Sequence, residues 1–425
     1  MQWRISTNTH LGTPAHPTKF TSLVLLAALT LFGPRAGLAE TSADPGAGAD
    51  VAQPKEQPAP GAGGAAVQPD ARSTYDRIWG LATLYKDDQN PVIEELDFTG
   101  RVQVDYFHIE SDQGHNSFFE VRRLRLGGDS WWADRHVQLK GTVDTRLRSY
   151  QKDPAFYGRI TEAFVNVHVD DALNIRGGKF EPHFGYDRQF SDIQQKFFER
   201  SFFDDNVFNK TGNDYVSGAS ALGKIGNWGY QIAVLSNNVG KEFGNFNGGE
   251  SYLSELSYDF SKRLGWDKAL WTVDFMHMHD NDHSNVFNTM HNAVATYFDA
   301  QKDRLGFVTQ FGYGDGKGTK GDIYEVMLMP SYYIIPKSLE LILRYQLGLG
   351  SEDNAITTLN RQESTVGKFT GDTYNAVYLG LNYYLYGQKL KLMLAEQFAD
   401  LSGGGTGPTV GYTGATTLVG LRMYW

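Results

Sequence analysis

The chain has 425 residues, a formal net charge of −10, 13% aromatic residues and no cysteine. The lack of cysteine excludes disulfide scaffolds and thiolate metal sites. Glycine contributes 47 residues, which is about 11% against about 7% in average proteins. The mean hydropathy is −0.40 and no apolar run reaches about 18 residues, which excludes a helical membrane protein but allows a barrel of alternating strands.

Residues 1–39 have the pattern of a secretory signal peptide. Arg4 and Lys19 precede an apolar stretch, and small residues lie before a cleavage site near Ala39. A single membrane anchor is the alternative, but the apolar stretch is short for a bilayer. Cleavage would remove three cations and no acid, so the net charge would fall from −10 to −13. An acidic mature chain argues against a nucleic-acid partner.

Two segments follow before the main pattern begins. Residues 40–72 are mostly Ala, Gly, Pro, Gln and Asp, with too few large apolar side chains to form a core, so we expect a disordered linker. The apolar side chains of Tyr75, Ile78 and Trp79 follow helical spacing, which continues to Tyr85. Residues 73–94 are therefore expected to be a short periplasmic segment with one helix over 75–85.

From residue 95 onward the hydrophobic period is two, as in strands with one apolar face. Val102, Val104 and Tyr106, for example, alternate with polar residues. The pattern recurs in about sixteen segments, which leaves roughly 21 residues for each strand and its connection. That length is typical of transmembrane barrels.

The character of the two faces distinguishes a membrane barrel from a soluble β-sandwich. The apolar faces of the stronger strands carry no charged side chain, and aromatic pairs such as Trp131 with Trp132 and Tyr332 with Tyr333 collect at strand ends. A lipid-facing band with aromatic girdles requires both features. We therefore predict an all-β fold, a transmembrane antiparallel β-barrel of about sixteen strands over residues 95–425, in the outer membrane of a diderm bacterium.

The last strand ends on an aromatic residue, Trp425, with Met423 on the same face and Gly420 further back. This ending resembles the terminal signal of bacterial outer-membrane barrels. The resemblance implies that Trp425 is recognised by the barrel assembly machinery.

Three further segments resemble one porin family. Residues 119–127, 177–185 and 198–201 are similar to the second-strand, fifth-strand and constriction-loop motifs of the phosphate-selective porin O and P family, and residues 98–101 to its first strand. The resemblance runs in order to the end of the chain, with motifs dense only in the first half.

This resemblance implies passive diffusion of small anions, including phosphate, through a sixteen-stranded barrel that is usually a homotrimer. It also implies that the third external loop, here about residues 186–213, folds into the lumen. Packing of this loop against the wall would account for its four phenylalanines within residues 197–203.

Strand parity identifies candidate residues for an anion track in the lumen. Arg123 and Arg125 alternate with Leu124 and Leu126, so they point inward. Guanidinium groups in a narrow channel lower the barrier to anions. The predicted wall track consists of Arg101, Arg123, Arg125, Lys140 and Arg146. The predicted loop cations at the narrowest point are Arg188, Lys196 and Arg200.

An alternative interpretation gives these cations a structural role. In it, they pair with acids such as Asp105, Asp144, Glu162 and Glu199 and hold the wall and loop in place. Glu120 and Arg122 conflict with the predicted strand parity, because these charged residues share the outward parity of Leu124. They either lie at the interface end of the strand or indicate an error in this register.

Other functions have weaker signals. His277 and His279 share one strand face near His283, where a surface metal site is the alternative to interface histidines. No Gly-x-Ser-x-Gly or His-Glu-x-x-His motif is present, so we expect neither an enzyme nor a cofactor. A sugar-type or general porin without phosphate specificity, and a barrel that anchors the envelope through residues 40–72, remain the rival functions.

Overall fold

The computed structural model describes eight ranges, which are 73–147, 154–208, 215–238, 242–280, 290–318, 320–358, 360–405 and 407–425. The predicted signal peptide and linker lie outside them. No helix in this part of the chain has the length and apolar character needed to cross a bilayer.

The first described element is helix α1 (Thr74–Trp79), which is shorter than expected. The Ser73 hydroxyl accepts a hydrogen bond from the backbone N–H of Asp76 and so begins the helix. A 3₁₀ turn (Gly80–Ala82) and strand β1 (Thr83–Lys86) follow. The helix ends early because the backbone of β1 pairs with the start of the next strand, where Tyr85 lies opposite Leu96.

Sixteen of the described strands form one closed antiparallel barrel, as predicted. Each pairs with its neighbour in sequence, and the last strand pairs with the first to close the sheet. The first eight strands of the barrel are β2 (Ile93–Ser111), β3 (Gly114–Trp132), β4 (Val137–Asp144), β5 (Arg159–Asp170), β6 (Leu173–Phe180), β7 (Val216–Ile225), β8 (Trp228–Ser236) and β9 (Gly249–Asp259). The second eight are β10 (Lys268–Asp280), β11 (Met290–Lys302), β12 (Leu305–Gly316), β13 (Ile323–Ile335), β14 (Leu339–Gly350), β17 (Thr373–Tyr386), β18 (Leu390–Ser402) and β19 (Tyr412–Tyr424).

The remaining elements lie in the connections between barrel strands. Two short helices, α2 (Gly185–Gln189) and α3 (Phe202–Val207), follow β6, and α4 (Ser261–Leu264) follows β9. The two-residue strands β15 (Ile356–Thr357) and β16 (Thr370–Gly371) pair with each other between β14 and β17. Single 3₁₀ turns occur at Phe246–Gly248 and Glu363–Thr365.

The two ends of the barrel differ in their connections. At the turn end, strands such as β5 and β6 or β11 and β12 are joined by only two residues. At the opposite, loop end, the connection from β6 to β7 covers residues 181–215. Helix α1 lies at the turn end, where the indole N–H of Trp79 donates to the carbonyl of Tyr424 at 2.6 Å. Trp425 closes the barrel there by backbone hydrogen bonds with Gly100.

The two faces of the wall follow the predicted parity. On β14, for example, Leu343 is 42% exposed on the outer face, whereas its neighbour Arg344 is 1% exposed on the inner face. The outer face carries some carboxylates, among them Asp400 near the loop end of β18 and one near the middle of that strand. Glu396 lies near the middle of β18 on the same face as Leu392 and Leu394, and its Oε2 accepts a hydrogen bond from Thr417 at 2.7 Å.

A β-bulge resolves the parity conflict on β3. Gln103 pairs with Arg123, but the next residue of β2, Val104, pairs with Val121, so Arg122 is the extra residue. A bulge of this kind reverses the side-chain alternation beyond it. Glu120 therefore points inward and is 1% exposed, so of the two alternatives the register was in error and Glu120 does not lie at an interface end.

Candidate functional site in the barrel lumen

The connection after β6 folds into the lumen, as expected of a constriction loop. We use this name for residues 186–208. Its four phenylalanines, Phe197, Phe198, Phe202 and Phe203, are only 3%, 3%, 6% and 2% exposed. They are buried because they pack against the inner face of the barrel, which explains their presence in a loop. Residues 209–213 of the predicted loop lie outside the described part of the chain.

Glycines on the inner wall make room for three of these rings. A Cβ atom built on Gly312 would lie 2.7 Å from the ring of Phe203. The corresponding distance is 2.4 Å from Gly348 to the ring of Phe202. Gly420 on β19 accepts Phe198 in the same way, at 2.6 Å. Any other residue at these positions would displace a ring, so the wall and the loop are fitted to each other.

Polar side chains of the wall form hydrogen bonds with the backbone N–H and carbonyl groups of the loop. The Asp274 carboxylate accepts the N–H of Gly185 at 2.7 Å, and Gln310 accepts that of Tyr186 at 2.6 Å. Further bonds join the Arg344 guanidinium to the Glu199 carbonyl at 3.0 Å and the Lys391 ammonium to the Gln195 carbonyl at 2.6 Å. Buried backbone groups need such partners, so the loop is held along its length by the wall.

Three of the predicted track arginines converge on one loop carboxylate, that of Asp192. Arg101 forms a salt bridge with its Oδ1, while Arg123 and Arg125 lie 2.9 Å and 3.5 Å from its Oδ2. Asp192 is 5% exposed. The alternative of wall-to-loop ion pairs therefore describes these arginines, although sequence analysis did not identify Asp192 as the partner. Arg125 also donates to the Tyr215 hydroxyl at 2.6 Å.

The acids named in that alternative are also paired, with varied partners. Glu199 lies 3.3 Å from Arg122, and Asp105 forms a salt bridge with Arg422. Asp144 lies 3.5 Å from Arg159.

The predicted loop cations lie beside carboxylates. The Lys196 ammonium lies 2.6 Å from Glu340 on the wall. Burial lowers the pKa of Lys196, but the Glu340 carboxylate outweighs this effect and the pKa is raised. Arg188 contacts Asp204 at 2.5 Å and the ring of Phe208 at 4.0 Å.

Arg200 is neutralised in the same manner, by a salt bridge with Glu181 at the start of the connection. All three predicted loop cations are thus bound to carboxylates, because a buried guanidinium or ammonium group needs a charged partner. Lys196 joins the loop to the wall, whereas Arg188 pairs within the loop.

The inner wall of β4–β6 retains accessible basic side chains. Lys140 is 27% exposed and lies 3.5 Å from Glu162, and Arg159 is 17% exposed. Arg176 on β6 is half-buried, with its guanidinium 4.6 Å from the centre of the Phe164 ring. Arg176 follows the same parity rule as Arg123, so sequence analysis could have identified it. Arg146 lies beyond β4 at the loop end and is half-buried.

The histidine pair does not form a metal centre in the described structure. His277 Nδ1 is 2.9 Å from the Asn292 amide oxygen, and the His277 ring lies 5.1 Å from that of His291. Within the described ranges, no group of three or more His, Asp or Glu residues is placed to hold a metal ion. His283 falls outside those ranges.

Comparison with known proteins identifies the first half of the barrel. Residues 96–258, which cover β2 to β9, match the family model of phosphate-selective porin O and P. This region of the chain is similar to that family. The match agrees with the dense motifs in the same region, and no curated protein sequence matches the chain.

Solved structures share the fold at low sequence identity. The OprB porin of Pseudomonas putida has a TM-score of 0.55 at 12% identity, over 78% of this chain and 94% of its own. OmpF of Salmonella typhi, in complex with daunomycin, has a TM-score of 0.54 at 12% identity, over 81% of this chain and 100% of its own. An anion-selective porin from Comamonas acidovorans has a TM-score of 0.53 at 12% identity, over 78% of this chain and 99% of its own. The family match and the fold support an outer-membrane porin channel.

Proposed function

We propose that this porin passes small anions, phosphate among them, by passive diffusion along the β4–β6 side of the lumen. The carrying observation is that the partly exposed cations Lys140, Arg159 and Arg176 lie together on the inner face of this side. Arg101, Arg123 and Arg125 border the path and hold the loop through Asp192.

The three cations are spaced along the strands. Arg176 lies level with Gln138, two residues from Lys140 towards the turn end, and Arg159 lies level with Asp144, four residues towards the loop end. With a rise of about 3.4 Å for each residue, the levels lie about 7 Å and 14 Å from Lys140. Weak sites in series let an anion enter and leave readily.

Removal of these charges tests the proposal. The variant Lys140→Gln, Arg159→Gln, Arg176→Gln should move the reversal potential in a KCl gradient towards cation selectivity, because Glu162 would then dominate the path. A matched control, Lys268→Gln, removes a cation on β10 that pairs with Asp299 at 2.7 Å and should change the potential less. Equal potentials in wild type and triple variant would contradict the proposed path.

Phosphate separates this function from its rivals. Millimolar phosphate should reduce the chloride conductance of the proposed anion porin, because phosphate competes with chloride for Lys140 and its neighbours. A sugar-type porin should keep its chloride conductance under the same conditions. A barrel that only anchors the envelope should conduct little with either salt.

We further propose export through residues 1–39, assembly through Trp425, and a homotrimer. An outward polar row supports self-association, because it crosses four neighbouring strands with Ser117, His108, Thr417 and Glu396 in register. A mid-strand charge facing lipid costs free energy in barrels, and a second copy of the chain would cover it. Light scattering on the unheated protein in detergent should therefore give the mass of a trimer. The mass of a monomer would contradict this arrangement.

A further inference from the structure

A group of oxygen-bearing side chains lies where the constriction loop leaves the wall. We call it the oxygen cluster. Its members come from β8, β9, β10, β11 and helix α2, and they are Gln231, Glu255, Thr272, Asp274, Tyr297 and Gln189.

Strand register brings the five wall residues together on the inner face. Glu255 lies opposite Gln231 on one side and opposite Asp274 on the other. Thr272, two residues from Asp274 on the same face, lies opposite Tyr297. Directly opposed residues have Cβ atoms about 4.5–5.5 Å apart, so these side chains adjoin one another.

Each member has a buried oxygen without a hydrogen bond of standard geometry to another described residue, although the Tyr297 hydroxyl lies beside Thr272 and Gln231 lies beside His183. These atoms are Oε1 of Gln189 and Gln231, Oε2 of Glu255, Oγ1 of Thr272, Oδ1 of Asp274 and the hydroxyl oxygen of Tyr297. Thr272 and Asp274 are 0% exposed and Tyr297 is 1% exposed. Buried polar atoms are usually satisfied, so the remaining oxygens, Oε1 of Gln189, Oε2 of Glu255 and Oδ1 of Asp274, indicate a ligand that is coordinated by oxygen.

The two carboxylates of the oxygen cluster indicate that its ligand is a cation. No described Lys, Arg or His forms a salt bridge with Glu255 or Asp274, and the nearby Lys268 is paired with Asp299 at 2.7 Å. Two buried carboxylates without a counter-charge are costly. A divalent ion would balance both.

We propose that the oxygen cluster binds one calcium ion. Calcium takes six to eight oxygen ligands in flexible geometry and accepts carboxylate, amide and hydroxyl oxygens. Magnesium demands a nearly ideal octahedron and retains water, which suits this irregular set less well. The second oxygen of Asp274 accepts the N–H of Gly185 at 2.7 Å, so the ion would fasten the base of the constriction loop to β9 and β10.

Terbium luminescence and calcium dialysis test this site on the full-length protein after treatment with EDTA. Tb³⁺ substitutes for calcium, and Tyr297 would sensitise its emission. Wild type should bind one Ca²⁺, which displaces Tb³⁺, while K⁺ at the same ionic strength does not. Glu255→Gln with Asp274→Asn should weaken binding at least tenfold, and Tyr297→Phe several-fold with a larger loss of sensitised emission. The control Asp171→Asn, in the exposed turn between β5 and β6, should bind as wild type does.

Heat denaturation provides a second measurement that does not depend on ion conduction. Calcium should raise the temperature at which the wild-type barrel loses its folded gel mobility, and should have no such effect on the Glu255→Gln, Asp274→Asn variant. If wild type binds no stoichiometric Ca²⁺, or the double variant binds it equally well, the proposal is wrong and the two carboxylates are instead neutralised by protons. If the double variant does not fold, a Tyr297→Phe variant that binds Ca²⁺ with wild-type affinity would still contradict the proposed calcium site.

Discussion

Deletion of residues 190–208 should raise the single-channel conductance several-fold while the barrel stays folded. The deleted segment carries all four packed phenylalanines and Asp192, so its removal widens the lumen at its narrowest level. The barrel should survive because every strand pair lies outside the segment. Planar-bilayer recordings on the purified variant measure the effect.

The control for this deletion removes residues 404–409 from the connection between β18 and β19 at the same end of the barrel. It should leave the conductance near the wild-type value. A loop-deletion variant with native heat stability but wild-type conductance would place the narrowest point of the pore elsewhere.

Asp192→Asn should release the constriction loop and reduce stability. The substitution leaves the guanidiniums of Arg101, Arg123 and Arg125 without their shared carboxylate in a site where the Asp192 side chain is 3% exposed. Removal of one partner from a buried ion pair typically costs about 3–5 kcal/mol. We expect a lower unfolding temperature and a larger, noisier conductance.

A double-mutant cycle separates this effect from a general loss of charge. Arg123→Gln in the Asp192→Asn background should recover part of the stability, because one unpaired cation is removed. Asp171→Asn, in an exposed turn between β5 and β6, is the matched control and should behave as wild type. Strictly additive losses for Asp192→Asn and Arg123→Gln would mean that these two side chains do not interact.

The barrel could be predicted from sequence because its information is local. A period of two places Leu343 outside and Arg344 inside without reference to any other strand. Sixteen such segments, with connections of suitable length, leave few alternatives to a closed membrane sheet. The aromatic-rich loop was also recognisable, since exposed phenylalanines at such density require a surface to pack against.

Local patterns failed where one residue changes the register or ends an element. The bulge at Arg122 reverses the parity of Glu120, and hydrophobic spacing contains no signal for it. Helix α1 ends at Trp79 because β1 pairs with β2, and this pairing is a tertiary contact.

The ion-pair partners could not be predicted because they are distant in sequence. Asp192 joins arginines of β2 and β3 from about 70 to 90 residues away, and any lumen acid was an equal candidate from parity alone. The oxygen cluster was missed for the same reason, since Gln231, Glu255 and Asp274 become neighbours only through the pairing of β8, β9 and β10. Sequence analysis identified which cations face inward, but not which of them remain exposed.

The reversal potential of the wild-type porin across a planar bilayer with a tenfold KCl gradient tests the central claim most directly. The account predicts open channels with a potential whose sign shows preference for chloride, because Lys140, Arg159 and Arg176 line the accessible side of the lumen. A potential of the opposite sign, or correctly folded protein that forms no channels, would contradict it.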